Sequence, residues 1–165
     1  MIILGIDPGT AIMGYGLIEE SHGRLTAVTY ASWRTQAGSP LPARLLSLYD
    51  SFNRLLEQYT PDCVAVEELF FNRNTTTALS VGQARGMVLL AAAQHDLPVF
   101  EYTPLQVKQA VVGYGKAEKA QVQQMVRSLL GLAAVPKPDD TADALAIAIC
   151  HAHSFTWQRR MGDLR

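Results

Sequence analysis

The chain has 165 residues, 48% of them apolar and 18% charged, with 14 basic and 15 acidic side chains for a formal net charge of −1. This length suffices for one domain with its own hydrophobic core and excludes a fold that depends on disulfide or metal staples. The near-neutral balance excludes a protein that binds nucleic acid by overall charge, so any polyanion must be held by a local patch. The two cysteines, Cys63 and Cys150, lie in apolar segments without a CxxC pairing and read as buried free thiols of a reducing compartment. The first apolar run has no charged region before it and is too short for a secretory core, and no segment approaches roughly 18 uninterrupted apolar residues, so a soluble cytoplasmic protein is expected.

Ile2, Ile3, Leu4 and Ile6 form the near-continuous run of a strand covered on both faces, ending in Asp7 and the turn residues Pro8 and Gly9. Taken alone, Asp7 reads equally well as a turn former capping Gly9 or Thr10. Residues 12–18, punctuated by Gly14 and Gly16, are the expected hairpin partner, and residues 24–33 alternate loosely as a third antiparallel strand. Leu41, Leu45, Leu48, Phe52, Leu55 and Leu56 recur at three- and four-residue steps, predicting an amphipathic helix over 40–60. Residues 62–66 are a second buried strand, and it too ends in carboxylates, Glu67 and Glu68.

From about Thr76 to Gln94 the chain predicts a helix rich in small residues, with Gly82 and Gly86 flattening one face; the first reading of that face is a seat on the sheet. A short strand follows over 98–102. Thr103-Pro104 then opens a brief helix that ends near Gly113. Beyond the loop 113–117, a helix over 118–130 buries Val122, Met125, Val126, Leu129 and Leu130 and lines up Lys119, Gln123 and Arg127 on its other side. The last helix begins at Asp139 and is expected to run to about His153. It is apolar almost all round from Ala144 to Ile149 and therefore buried. One domain over 1–155 with a polar, frayed tail over 156–165 is expected. Three strands followed by strands alternating with helices predict a mixed five-stranded α/β sheet with helices on both faces, whose ligands sit outside the carboxyl ends of the strands.

Asp7 and Glu67 or Glu68 are at two such ends. Asp140 and Asp143, three apart at the start of the last helix, project from one side of it, where the helix dipole favours their ionised forms. Asp139 reads equally as a plain cap, whereas Asp143, past the cap in an apolar helix, needs a partner. Four converging carboxylates repel one another unless a cation neutralises them, and an oxygen-only ligand set suits Mg²⁺ or Mn²⁺. Two such ions roughly 4 Å apart are the usual apparatus for in-line displacement at a phosphodiester.

Several stretches together, IDPGT with GYG after it, AVEELF, SVGQARG, VFEY, VKQAVVGYGKAEKAQVQ and DDTADALAIAICHAH, resemble the RuvC family of Holliday junction resolvases, metal-dependent endonucleases of the ribonuclease H-like fold. The resemblance spans most of residues 1–153. It implies that the four acids are Asp7, Glu67, Asp140 and Asp143, separating Glu67 from Glu68 and Asp140 from Asp139, and that Lys108 and Lys119 stand near the scissile phosphate. It further implies that Phe70, which reads equally as core packing, stacks on an unpaired base at the junction centre, that the protein is a homodimer, and that RuvA and RuvB branch-migration proteins are its partners; Arg73 and Lys116 are further candidate DNA contacts, Lys116 reading first as a solvated surface lysine. Within residues 103–130, Lys108, Lys116, Lys119 and Arg127 stand against Glu118 alone, a local basic patch in an acidic chain. A dimer would present two acid clusters to a two-fold junction, and that shifts the Gly82 and Gly86 face from sheet packing to the subunit contact. His151 and His153 diverge on a helix, so a structural role is expected for His151. A competing reading, a phosphotransferase of the actin and sugar kinase type using Asp7 to Thr10 as a phosphate loop, requires a second domain that 165 residues do not provide.

Overall fold

The computed structural model describes residues 1–68 and 75–161. Its strands are β1 (Ile2–Asp7), β2 (Ile12–Ser21), β3 (Arg24–Arg34), β4 (Cys63–Glu67) and β5 (Val99–Tyr102). Its helices are α1 (Leu41–Tyr59), α2 (Thr75–Gln94), α3 (Pro104–Val112), α4 (Lys119–Leu129) and α5 (Asp139–Met161). The sheet order is β3-β2-β1-β4-β5. β1, β2 and β3 are antiparallel neighbours, while β4 lies parallel to β1 and β5 parallel to β4. This is the mixed five-stranded sheet the pattern predicts. The one boundary that moves far is the end of α5, which continues to Met161 instead of ending near His153, so most of the expected frayed tail is helical.

Strand alternation sorts the core into two layers. Ile3, Cys63 and Ala65 point to one face and are covered by α3, α4 and α5 through Val107, Val111, Val122, Val126, Leu145 and Ile149. Leu4, Ile6, Val64 and Val66 point to the other and are covered by α1 and α2 through Leu48, Phe52, Ala84, Val88 and Ala92. A buried Leu or Ile contributes about 1.5–3 kcal/mol relative to leaving it exposed, so both layers contribute to seating the helices on the sheet.

α5 is apolar all round because it is the helix buried deepest in its layer, with every residue from Ala144 to Ala152 at most 2% exposed. Three glycines let it lie directly on the sheet. A Cβ at Gly5 would run into the Ala144 carbonyl and the Ala148 backbone, one at Gly14 into the Asp140 carbonyl, and one at Gly16 into the Leu145 side chain. Gly14 and Gly16 read in the sequence as strand punctuation; they are in fact the floor on which the helix rests. Gly86 on α2 does the opposite of the first expectation. It is exposed and a Cβ there would meet nothing, so Ala84, Val88, Ala91 and Ala92 seat α2 on the sheet and the glycine faces outward. Among the described residues no helix is long and apolar enough to cross a membrane.

Candidate active site

The same alternation that builds the core decides which carboxylates meet. Residues 3, 5 and 7 of β1 and 63, 65 and 67 of β4 share the α5 side of the sheet. Because Ile6 is paired in parallel with Val66, Asp7 and Glu67 emerge side by side at the carboxyl ends of adjacent strands. Glu68 falls beyond the strand and is exposed, its backbone N–H donating to the Tyr102 carbonyl at 2.9 Å. The physical distinction between the two glutamates, which the residues alone left open, is therefore strand parity.

α5 supplies the other pair. Asp7 is the register partner of Gly14, and the Asp140 backbone lies directly over Gly14, so the first turn of α5 is brought onto the end of β1. Asp139 instead turns outward, with its side chain 46% exposed, into an ion pair with Lys137 at 2.9 Å and a longer one with Lys119 at 3.5 Å. The Lys137 hydrogen bond holds its carboxyl below the usual range.

Burial raises the Asp7 carboxyl from its ordinary 3.8 to about 8, reinforced by the charges of Glu67, Asp143 and Asp140 and opposed by Lys119. Glu67 and Asp143 are likewise pushed up, in each case first by burial, with Asp143 acting on Glu67 and Lys119 opposing both rises. Asp7 feels the charges of the other three acids and Glu67 that of Asp143, which places the four acids near one another. Lys119, the first residue of α4, donates to Asp143 at 2.9 Å. Burial pulls its ammonium down, but the hydrogen bond and charge of Asp143, with those of Asp139, outweigh this and leave it raised.

Between the sheet end, α3, α4 and α5 lies a cleft of about 240 Å³, walled by Glu67, Asp143 and Lys119 together with Pro104, Val107, Lys108, Val122, Ala146 and Ile147. Lys108 and Lys119 thus stand over the carboxylates. Lys116 does not line the cleft; it is exposed on the loop between α3 and α4. Phe70 and Arg73 lie outside the described residues.

Does this donor set fit a divalent cation? Among the described residues, no three acidic, imidazole or thiol groups are already close enough to grip one ion. The fit lies in the chemistry: oxygen donors only, two of them on a sheet end and two on a helix start, with Asp7, Glu67 and Asp143 raised first by burial and then by like charges, and with the Lys119 ammonium ion-paired to Asp143. That is an environment deficient in positive charge, and hard divalent ions with carboxylate ligands are what relieve it.

The remaining candidates take structural roles. His151 is 2% exposed, its Nδ1 shares a 2.7 Å hydrogen bond with the Tyr102 hydroxyl, and Phe100, Tyr102 and Phe155 surround its ring. Burial lowers its pKa to about 4. His153 turns away to the Ala110 carbonyl at 3.0 Å, as expected for residues two apart on a helix. Tyr102, which no sequence signal singled out, is the partner of His151 Nδ1, while the buried Nε2 has no hydrogen-bond partner among the described residues. Thr10 is buried, its hydroxyl 2.6 Å from that of Ser80 on α2, so the Asp7–Thr10 turn is tied into the fold rather than opened as a phosphate cradle.

The model of the family described as crossover junction endodeoxyribonuclease RuvC matches residues 3–151. The chain is 71% identical over 162 residues to the crossover junction endodeoxyribonuclease RuvC of Desulfitobacterium hafniense, covering 98% of each chain. It is 64% identical over 157 residues to that of Heliobacterium modesticaldum, covering 95% of this chain and 97% of the other. Among solved structures it is similar to Thermus thermophilus RuvC in complex with a Holliday junction substrate, with a TM-score of 0.86, 37% identity and coverage of 98% and 97% of the two chains. Yeast mitochondrial Holliday junction resolvase Ydc2, at 19% identity and a TM-score of 0.69, shares the fold. Nothing in the geometry or in these likenesses favours the phosphotransferase reading, and the chain belongs to the RuvC family of crossover junction endodeoxyribonucleases.

Proposed function

We propose that the protein resolves four-way DNA junctions by metal-dependent phosphodiester hydrolysis at the cleft that joins the ends of β1 and β4 to the start of α5. The observation that carries this reading is the convergence of Asp7, Glu67, Asp140 and Asp143, acids from three separate elements, at one end of the sheet. A pure binder of polyanionic DNA has no use for that much negative charge; a nuclease does. Asp7, Glu67, Asp140 and Asp143 would hold two Mg²⁺ ions, with Mn²⁺ as a substitute. When bound, such ions activate the attacking water and stabilise the leaving oxygen.

The chain's own residues do the rest. The Asp7 carboxyl holds a proton near neutral pH in the free cluster and gives it up when it becomes a ligand. Lys108 and Lys119, which both line the cleft, draw the scissile phosphate in and offset its charge. Phe70 stacks on an unpaired base, and Arg73 and Lys116 bind backbone phosphates. Residues 1–155 act as a single nuclease domain, in the cytoplasm, with RuvA and RuvB as partners on the same junction.

Two acid clusters in matching orientation require a dimer. The exposed face of α2 supports this: Leu79 is 66% and Leu90 59% exposed, and Gly86 between them is open. Gly86→Glu should give a folded monomer, read by analytical ultracentrifugation, that nicks one strand without the paired second cut; a variant that stays dimeric removes α2 from the interface.

The central test is cleavage of synthetic four-way junctions with Mg²⁺, with Mn²⁺ and in EDTA. Asp7→Asn should lower cleavage by at least about a thousandfold while junction binding persists. Undiminished cleavage by that variant would remove Asp7 from the mechanism.

A further inference from the structure

Beside the cleft lies a feature that neither the core nor the acid cluster uses. Leu105 and Tyr114 are large apolar side chains left 59% and 58% exposed. Leu105 is the second residue of α3 and three before Lys108, so the two are neighbours on the helix surface, immediately beside the Pro104, Val107 and Lys108 wall of the cleft. Tyr114 belongs to the loop between α3 and α4. That loop leaves α3 through Gly113, whose φ of 82° turns the chain in a way other residues resist, and it doubles back along the helix. At Gly115 it passes so close to Leu105 that a Cβ there would strike a leucine methyl. It then closes a turn, the Ala117 N–H donating to the Tyr114 carbonyl at 3.1 Å, and enters α4 at Lys119. The loop thus carries Tyr114 from the end of α3 back towards its start.

We propose that Tyr114, backed by Leu105, is a stacking platform for a nucleotide base next to the scissile phosphate. Three features of this place select that occupant. Leu105 follows Pro104, a wall residue of the cleft, and Gly115 beside Tyr114 packs on Leu105, so a strand whose phosphate lies between Lys108 and Lys119 would run close to both side chains. The exposed Lys116, two residues from Tyr114, and Lys108, one helical turn from Leu105, put positive charge next to them with Glu118 as the acid nearby in sequence, a balance that suits a polyanion and repels a basic protein surface. Among the described residues no side-chain hydrogen bond engages the Tyr114 hydroxyl, so the ring is available for its face rather than its polar tip. An aromatic face within a basic groove is how single strands are held without regard to sequence. The platform rests on the nuclease reading given above. It differs from the expected Phe70 contact in place, on the α3–α4 loop instead of after β4, and in target, a base at the cut rather than one at the junction centre.

The experiment uses the full-length protein and four-way junctions carrying 2-aminopurine at single positions on either side of the mapped cleavage site. In EDTA, where the junction is bound uncut, wild type should quench 2-aminopurine at one of these positions, and Tyr114→Ala should abolish that quenching at that position alone. With Mg²⁺, single-turnover cleavage by Tyr114→Ala should fall about tenfold, within the range expected for removing one base-stacking aromatic, and Tyr114→Phe should restore both signals. Wild-type cleavage with an unchanged Tyr114→Ala rate and unchanged quenching would overturn the platform alone. A uniform loss of affinity in Tyr114→Ala, with quenching retained in the bound fraction, would overturn it as well, because it would mean a backbone contact. Failure of the wild type to cut any junction would overturn the cleavage reading and the platform with it.

Discussion

Two stretches of α5, its first turn and the turn around His151 near its middle, border titratable groups under the same physical pressure with opposite results. At the start, burial and like charges raise Asp7 to about 8, and Glu67 and Asp143 rise with it. At mid-helix, burial lowers His151 to about 4, and the Tyr102 hydroxyl together with three aromatic rings accommodates the neutral imidazole. Desolvation disfavours charge in both places. What differs is the supply of like charges. The imidazole sheds its charge by losing a proton and keeps one hydrogen bond, at Nδ1, its buried Nε2 having no partner among the described residues, whereas the carboxylates crowd one another with one lysine among them, a surplus of acceptors that a cation would relieve. One helix thus borders a group that is held neutral and a cluster that calls for a counter-charge.

The contrast depends on α5 lying against the sheet, so the largest effect should come from lifting it. Gly14→Val places a branched side chain where the Asp140 carbonyl now sits. Overpacking against backbone of this kind costs about 3 kcal/mol, and a displacement of about 1 Å at the acids lowers cleavage by on the order of a hundredfold. Thermal unfolding and single-turnover cleavage measure the two losses; a variant that keeps wild-type rates would show that the acids are placed independently of the glycine floor.

A smaller effect should appear in the stability of the metal-free protein. The folded-state pKa of Asp7 lies above its unfolded value of 3.8, so protonation favours the fold: this contribution is complete below pH 3.8 and is lost as the pH rises through about 8. Asp7→Asn removes the loss. At pH 8 and without metal it should melt roughly 5 °C above wild type, corresponding to about 2 kcal/mol, and the difference should vanish near pH 4. Saturating Mg²⁺ should close the gap from the other direction by stabilising wild type. A variant no more stable than wild type at pH 8 would contradict the account of strained carboxylates.

The smallest effect on activity belongs to the middle of the helix. His151 is lowered from 6.5 to about 4, so its neutral form stabilises the fold fully above pH 6.5, and that contribution is lost as the pH falls through about 4. His151→Leu should unfold at a lower pH than wild type in an acid titration while junction cleavage at pH 8 stays within about threefold, as expected for a site two helical turns from Asp143. A large loss of cleavage would mean that the Tyr102 contact reaches the acids.

The sequence carried much of this because its signals are periodic. The 3.6-residue recurrence in α1 and the buried runs of β1 and β4 correspond to elements whose one or two buried faces leave a mark on every residue. The residues alone pointed to Asp7 and Asp143 but left the choice of Glu67 over Glu68 and of Asp140 over Asp139 to the family resemblance, since parity and register, which place Glu67 on the α5 side and Glu68 off it, exist only once the strands are paired. Gly14 and Gly16 were misread as punctuation because a glycine in a strand signals either a bend or a close approach, and only the approaching helix distinguishes them. Gly86 was ambiguous for the same reason and proved to face outward. The Tyr102 to His151 contact joins residues 49 apart and leaves no local trace.

The glycine floor has a consequence for mutational tolerance. Three residues with no reactive group, Gly5, Gly14 and Gly16, lie under α5: a Cβ at Gly5 or Gly14 would strike helix backbone, and one at Gly16 would have to displace the Leu145 side chain. In a library of all single substitutions selected for junction resolution, these positions should be as intolerant as the carboxylates. The two kinds of intolerance would separate by dose: overexpression would rescue some floor variants, which lose folded protein, and none of the acid variants, which lose chemistry. A scan read only as activity would mark both as the active site, whereas one read also as abundance would recover the helix seat as a distinct unit.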